Sequence, residues 1–238
     1  MSLIFKQLFE RESCTYTYLI ADSETKEAAI VDAVDIMIDR DTALLKELDL
    51  DLKFIIETHI HADHITSACP LKKYYPKARI VIGMENVDAE ACSDIMVSEG
   101  HILNIGQYQI TTIETPGHTV GCMSYLVENK LLTGDALFIR STGRCDFQGG
   151  SAESLYESIQ KLFKLPDTTE VYPAHDYNGL SVSTIGEEKK FNSMIRESFD
   201  QETFIENVNS LDLGLPKKIK VAVPANQSCG LIPANASA

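Results

Sequence analysis

The feature that most constrains the fold is a cluster of potential metal ligands: three of the six histidines, His59, His61 and His64, lie within six residues, with Asp63 among them. The apolar run at residues 54–56 before them predicts a buried strand, and the sequence after them favours a helix. Side chains two apart on extended backbone project to the same side. A solvated polar loop would not concentrate half of the histidines, whereas neutral imidazole is a common metal ligand. We therefore predict a metal site at a strand-to-helix turn.

Three later segments repeat the pattern of a strand followed by a turn with a potential ligand. His118 lies in a Thr-Pro-Gly-His turn, Asp135 follows an apolar strand that ends in Gly134, and His175 follows a short strand and a proline. A single histidine or aspartate in a turn is usually only solvated. Four strand ends of the same type are a stronger signal, because α/β folds gather their chemistry at the carboxyl ends of strands.

The remaining pattern predicts two blocks of strands, each accompanied by helices. The first block has strands at 14–20, 28–32, 53–57 and 78–82 and helices at 41–48 and 65–75; the second has strands at 102–105, 108–114, 122–127, 130–133 and 170–172 and helices at 151–163 and 187–209. Residues 84–98 fit either helix or loop. We predict one domain spanning residues 1–238, α/β (α+β) in class, with two packed mixed β-sheets flanked by helices and an irregular proline-containing tail from about residue 213.

The net charge and the cysteine content limit the partners and the compartment that we expect for this protein. The net charge of −14 disfavours nucleic acid and anionic membranes as partners. The six cysteines are scattered without a CxxC pair, which indicates free thiols in a reducing compartment. The first residues lack the basic and apolar regions of a signal peptide, and no apolar run approaches the roughly 20 residues of a membrane helix. We therefore expect a cytoplasmic protein.

The motifs HxHxDH, TPGH, strand-terminal GDA and PAHD, in this order, resemble those of the metallo-β-lactamase superfamily over essentially the whole chain. The segments 134–148, 172–177, 182–184, 221–226 and 229–230 resemble its persulfide dioxygenase branch. The resemblance implies an αββα sandwich with a metal cleft at one edge. It also implies an enzyme that oxidises glutathione persulfide with O2 and water to sulfite and glutathione, with one non-haem Fe(II) per chain and a homodimeric assembly.

The same resemblance implies roles for the clustered residues. His59, His118 and Asp135 would hold the iron as a two-histidine, one-carboxylate set with positions left open for substrate and O2. The other superfamily metal positions would orient these ligands or hold a second metal; they are His61, Asp63, His64 and His175. Since zinc binds such sites more tightly than Fe(II), purified protein can carry zinc in place of iron.

Three further residues are candidates for substrate binding. The resemblance implies that Arg144 anchors the glutathione moiety, and Arg140 is close enough in sequence to assist, although an ordinary surface arginine is an equal interpretation. Tyr177 could donate a hydrogen bond near the iron. We give Cys145 no catalytic role, because no histidine adjoins it and no activating pattern is visible.

Two alternative functions use the same residues. A glyoxalase II-type dinuclear zinc thioester hydrolase (hydroxyacylglutathione hydrolase) needs all seven metal positions, and all are present. That family adds a helical substrate domain after the last metal histidine, whereas little sequence follows His175 here. A non-enzymatic, metal-stabilised domain is disfavoured, because closed structural zinc sites favour cysteine ligands and these motifs contain none.

Overall fold

The computed structural model describes residues 2–232, so residue 1 of the expected domain and residues 233–238 of its tail lie outside the described part. The strands are β1 Leu3–Glu10, β2 Thr15–Asp22, β3 Glu27–Val31, β4 Asp51–Ile56, β5 Arg79–Gly83, β6 Ile95–Val97, β7 Ile102–Ile105, β8 Tyr108–Glu114, β9 Met123–Val127, β10 Lys130–Gly134, β11 Glu170–Pro173 and β12 Ser183–Thr184. The helices are α1 Ile38–Glu47, α2 Ala68–Tyr74, α3 Ala152–Leu162, α4 Ile185–Phe191, α5 Gln201–Asn209 and α6 Ile219–Asn226, with 3-10 turns at Asp35–Met37 and Val87–Ala89.

The strands form two six-stranded mixed sheets. The first has the order β1-β2-β3-β4-β5-β6, antiparallel among β1, β2 and β3 and parallel from β3 onward. The second has the order β12-β11-β10-β9-β8-β7 and is antiparallel except between β10 and β11, which α3 connects. Parallel neighbours need such a crossover, whereas antiparallel neighbours need only a short turn.

Alternation along β2 shows how the two sheets divide the core. Tyr18 and Ile20 belong to the cluster between the sheets, together with Tyr125 of the second sheet. Leu19 and Ala21 point the other way, into the cluster beneath α1 and α2. A third cluster joins the second sheet to α3 and α5. Since successive side chains of a strand face opposite sides, a strand buried on both faces serves two core layers. The predicted αββα sandwich is confirmed.

Several elements differ from the sequence prediction. The edge strand β1 was not predicted, and the helix predicted at 187–209 is divided into α4 and α5. The division falls at Asn192, whose side-chain oxygen accepts from the main-chain N–H groups of Met194 and Ile195. The tail predicted to be irregular from about residue 213 contains α6, although Pro224 lies inside that helix. The sequence did not predict α6, because proline and β-branched residues both have a low helix propensity.

The expectation of six free thiols is wrong for one pair. Cys92 and Cys229 form a disulfide that links two parts of the chain 137 residues apart. It joins the segment after the second 3-10 turn to the end of α6. Cys14, Cys69, Cys122 and Cys145 are free. A pairing over this distance leaves no local spacing pattern, which is why the sequence did not reveal it.

Candidate metal centre

The seven predicted metal-site residues converge at one edge of the sandwich. Each lies in a loop that follows a strand: the histidine-rich loop follows β4, and later turns follow β8, β10 and β11. The loops carry, in that order, His59, His61, Asp63 and His64, then His118, then Asp135, then His175. The strand ends therefore meet as predicted, and six of these seven side chains are buried.

His59, His118 and Asp135 form the first ligand group. Their potential ligand atoms lie within 4.8 Å of one another, and all three residues are buried. The Nε2 of His118 is 3.4 Å from the Oδ2 of Asp135. Among residues 2–232, the buried Oδ1 of Asp135 has no hydrogen-bond partner. A buried polar atom without a partner is costly, so a cation that binds it would remove that penalty. The group fits a divalent metal with a two-histidine, one-carboxylate set.

A second group lies beside the first. The ligand atoms of His61, Asp63 and His175 also lie within 4.8 Å of one another. His64 is bonded within the loop, with its Nδ1 2.9 Å from the Oδ2 of Asp63. His175 lies between the two groups, with its Nε2 3.6 Å from the Oδ1 of Asp135. The arrangement therefore offers two adjacent metal positions.

Burial and neighbouring charges set the protonation of these groups. Burial lowers the pKa of His59 and of His61 well below the ordinary value, so both imidazoles are neutral near pH 7 and can bind a metal. Burial opposes ionisation of Asp63, but the charges of His64 and His175 hold its pKa well below the usual range. Burial also lowers the pKa of His175, yet the carboxylates of Asp135 and Asp63 raise it overall.

Two further residues that orient the candidate ligands, Asp32 and Thr58, were not predicted from the sequence. Asp32, at the end of a predicted strand, accepts hydrogen bonds from the main-chain N–H and the hydroxyl of Thr58, at 2.7 and 2.9 Å. Since that hydroxyl donates to Asp32, its oxygen accepts from the Nδ1 of His59, 2.9 Å away. The Nε2 of His59 is then left for the metal. Likewise, the Nδ1 of His118 donates to the main-chain oxygen of Arg144 at 2.7 Å. Such bonds fix the tautomer and the ring of a metal-binding histidine.

A buried polar group lies behind the ligands. The Oδ1 of Asp32 is 3.1 Å from the Nε2 of His61, and Glu57 lies 3.6 Å from the same nitrogen. Burial raises the pKa of Asp32, and burial together with the Asp32 carboxylate raises that of Glu57 well above its ordinary value. The hydroxyl of Thr66 donates to Glu57 and ties it to the histidine-rich loop. These contacts hold the inner side of that loop.

The turn that carries His118 requires glycine at position 117. Its φ of +142° disfavours any side chain, and a Cβ there would lie 2.4 Å from the main chain of Leu155 in α3. The turn therefore sits directly against the first turns of α3. The N–H of Ser151 donates to the carbonyl of Gly117, and the hydroxyl of Ser158 to that of Pro116. His118 is thus aimed by a rigid turn.

A cavity of about 560 Å³ opens onto the ligand groups. His118, Asp135 and His175 contribute to its floor, and its walls are largely apolar, with Phe138 and Leu213 among them. Such a pocket suits a small molecule held by a few polar groups. The cavity gives a substrate direct access to the first ligand group.

Arg144 lines this cavity and is already engaged. Its guanidinium pairs with Asp146 through Nε and Nη2 at 2.5 Å, and it donates to the carbonyls of Leu213 and Gly214 at 3.0 and 2.7 Å. Tyr177 also lines the cavity, with its ring stacked on that of His175 at 5.9 Å between centroids. Two of the three predicted substrate residues therefore lie at the site.

Arg140 is placed elsewhere. Within the described residues it does not line the cavity. Its guanidinium pairs with Glu187 at 2.7 Å and with the buried Glu188, both on α4, and it donates to the hydroxyl of Ser183 at 3.0 Å. It also lies over the ring of Phe191, 5.4 Å from the centroid. These contacts favour a structural role over the predicted contact with substrate.

Comparison with known proteins agrees with this architecture. The sequence model of the metallo-beta-lactamase superfamily matches residues 15–96 and 97–175. The persulfide dioxygenase ETHE1, mitochondrial, of Mus musculus is 42% identical over 96% of this chain and 89% of its own, and that of Homo sapiens is 40% identical over the same shares. The crystal structure of ETHE1 from Myxococcus xanthus is similar with a TM-score of 0.91 and 44% identity, covering 95% of this chain and 99% of that one.

Proposed function

The chain belongs to the metallo-β-lactamase superfamily and, within it, to the persulfide dioxygenase family, and we propose that it uses a single Fe(II) to oxidise glutathione persulfide. The proposed reaction converts glutathione persulfide, O2 and water into glutathione, sulfite and two protons. One observation carries the proposal: the buried group of His59, His118 and Asp135 opens directly onto a cavity that Arg144 lines. The relatives support the type of reaction, and this geometry supports the proposed location of the active site.

The proposed iron ligands are His59, His118 and Asp135. When bound, Fe(II) supplies the redox chemistry that allows O2 to oxidise a persulfide sulfur. The protein fixes the orientation of the ligand side chains through hydrogen bonds. Thr58 orients the ring of His59, and the main chain of Arg144 orients that of His118.

His175 is proposed to accept a proton that the reaction releases beside the reacting sulfur. It lines the cavity, and the neighbouring carboxylates of Asp135 and Asp63 raise its pKa. The reaction releases two protons, so a basic group near the sulfur has a direct use. The Nδ1 of His175 donates to the main-chain oxygen of Cys14 at 3.3 Å, and its Nε2 lies 3.7 Å from the carboxylate of Asp63, which is itself bonded to His64.

Arg144 and Tyr177 are proposed to bind the glutathione moiety. With a net charge of −14, this protein needs a local cation to hold an anionic substrate. Arg144 is proposed to provide that cation at the cavity wall, with a carboxylate of the substrate replacing Asp146 as the partner of its planar guanidinium. Tyr177 lines the same cavity with its ring stacked on that of His175, and its hydroxyl is proposed to donate a hydrogen bond to the substrate. Arg140 is proposed to support the cavity loop through α4 without touching substrate.

Location and assembly complete the proposal. Within residues 2–232, no helix has both the length and the apolar character that crossing a bilayer requires. We place the protein in the cytoplasm as a homodimer without nucleic-acid or membrane partners. The two mammalian relatives are named as mitochondrial, and the Cys92–Cys229 disulfide weakens the argument for a reducing compartment from free thiols. Cell fractionation tests the cytoplasmic location, and analytical sedimentation of the native protein tests the homodimer.

The deciding experiment is O2 uptake. Protein reconstituted anaerobically with Fe(II) is given glutathione persulfide, and O2 consumption and sulfite are followed together. Equal amounts of O2 lost and sulfite gained are expected. Zinc-loaded protein, with S-lactoylglutathione as substrate, serves as the control for hydrolysis.

The second ligand group favours one rival function. His61, Asp63 and His175 could hold a second metal, as a dinuclear zinc thioester hydrolase requires. Thioester cleavage by the zinc-loaded protein, with no persulfide-dependent O2 uptake by the iron-loaded protein, would overturn the dioxygenase proposal in favour of this hydrolase.

A further inference from the structure

A buried amide from the C-terminal helix holds the histidine-rich loop. The Nδ2 of Asn226, at the end of α6, donates to the main-chain oxygens of His61 and His64, both at 2.8 Å. Its Oδ1 accepts from the N–H of Thr66 at 2.9 Å. Asn226 is 3% exposed, so water does not compete for these bonds. One side chain thus contacts three points of the loop.

The loop depends on this amide because it has little regular structure of its own. Residues 57–66 contain neither helix nor ladder strand. Main-chain groups that are buried without hydrogen-bond partners destabilise the fold, so a loop of this kind needs partners from elsewhere in the chain. Both donors of the Asn226 amide are used for that purpose. The Asn226 amide thus bonds the main chain at both His61 and His64.

The end of α6 is itself fastened beside the loop. Cys229, three residues after Asn226, is joined to Cys92 by the disulfide, and its carbonyl accepts from the N–H of Cys69 at 2.9 Å. A Cβ at Gly230 would lie 2.0 Å from the main-chain oxygen of Thr66, so the chain passes directly against the loop. Helix α6 has eight residues, contains Pro224 and has no side-chain N-cap. Because such a short helix is weakly stable by itself, it depends on tertiary contacts.

We propose that Asn226 is a positioning residue for the metal centre, and that the Cys92–Cys229 disulfide keeps it in place. The inference rests on the proposed metal centre, which it deepens by adding a support at the opposite end of the sequence. It predicts that metal affinity depends on a residue whose side chain contacts only the main chain of the histidine-rich loop and no metal-binding atom. It also predicts that the disulfide affects the metal only through Asn226.

Cobalt binding tests the role of Asn226. Co(II) is titrated into metal-free protein and followed by its visible absorption, which reports both affinity and ligand geometry. Asn226→Asp keeps the size of the side chain and the acceptor for Thr66 but removes both donors. Because the loop that Asn226 holds also carries His59, a proposed ligand, we expect the dissociation constant for Co(II) to rise by about tenfold or more, with a changed absorption spectrum. A residue that serves only stability would leave the spectrum unchanged.

The matched control is Asn207→Asp in α5. The Asn207 amide donates to the main-chain oxygen of Met194 at 3.2 Å, away from the histidine-rich loop. This substitution also removes an amide donor, but it should leave Co(II) affinity and spectrum unchanged. If Asn226→Asp binds Co(II) with the affinity and spectrum of the wild type, the proposal is wrong. If the wild type itself binds no Co(II), it is the proposed metal centre that fails.

The disulfide is tested separately, which also covers the case in which Asn226→Asp does not fold. Cys92→Ser should weaken Co(II) binding several-fold, whereas Cys69→Ser, which removes a free thiol from the same region, should not. Where Asn226→Asp folds, adding Cys92→Ser to it should cause no further loss, because both changes act through one contact. Unchanged binding in Cys92→Ser, or a full additional loss in the double variant, would overturn the role of the disulfide.

Discussion

The Nη1 of Arg144 donates to the carbonyl oxygen of Gly214 across 2.7 Å, and this bond joins two walls of the cavity. The segment around Gly214 comes from the C-terminal part of the chain, whereas Arg144 follows the loop that carries Asp135. The residue proposed to hold the substrate therefore also holds the wall beside it. Substrate binding and the position of that wall are linked through a single guanidinium.

Arg144→Ala should raise the KM for glutathione persulfide by about tenfold or more, with a smaller effect on kcat, because it removes binding that ground state and transition state share. Arg144→Lys keeps the charge but lacks the planar fork, so it should recover only part of the loss. Steady-state O2 uptake measures both constants. An unchanged KM in Arg144→Ala would exclude this residue from substrate binding.

His118→Ala should abolish turnover and leave the protein folded. The substitution removes one of three proposed iron ligands, and the turn that carries it is held independently by Gly117 and Ser158. Iron content, O2 uptake and circular dichroism are measured on the same sample. Full activity after careful iron loading would refute the ligand assignment.

Removal of the metal should eliminate activity but not the fold. The sandwich is built on clusters between and outside the two sheets, which do not include the metal ligands. A structural site behaves differently, because loss of its metal unfolds the domain. Protein dialysed against a chelator should keep its circular dichroism spectrum and regain O2 uptake when Fe(II) is returned. Cooperative unfolding on chelation would indicate a structural metal instead.

The sequence predicted that the candidate ligands would lie close together, because the carboxyl ends of strands in an α/β fold meet at one edge of the sheet. His59, His118, Asp135 and His175 each follow a strand, and the structure brings them together. Residues that act through the main chain carry no such signal. Asn226 looks like any polar helix residue until α6 is seen against the histidine-rich loop. The Cys92–Cys229 pair was likewise hidden, since long-range pairing is a property of the folded chain.

The sequence left two interpretations of Arg140 open for a related physical reason. Its position before Arg144 indicated a place at the cavity, but it has a φ of +65° and its side chain turns toward α4. This left-handed conformation is uncommon for a residue other than glycine, and sequence alone does not show which residues adopt it. The carboxylates of α4 then offered the guanidinium a buried partner.

Arg140→Ala should lower the free energy of unfolding by about 2–4 kcal/mol, because it leaves the buried carboxylate of Glu188 without its cation. The control is Lys189→Ala, which removes an ion pair with the exposed Asp167 and should cost less than about 1 kcal/mol. Urea denaturation at neutral pH compares the two. Equal effects of the two substitutions would contradict the structural role of Arg140.

Cys145 should be unreactive although it adjoins Arg144 in the cavity loop. Burial raises the pKa of its thiol to about 12, and the same holds for Cys122. At pH 8 only about one molecule in 10⁴ would then carry the thiolate, which is the form that reacts with alkylating agents. Because the pKa is raised, alkylation should accelerate about tenfold for each pH unit above 8 while the protein stays folded. Iodoacetamide labelling followed by peptide mass spectrometry should find Cys145 modified only after denaturation. Rapid labelling of Cys145 in the native protein at pH 8 would show an activated thiol beside the metal centre, and the proposed reaction would then need a role for it.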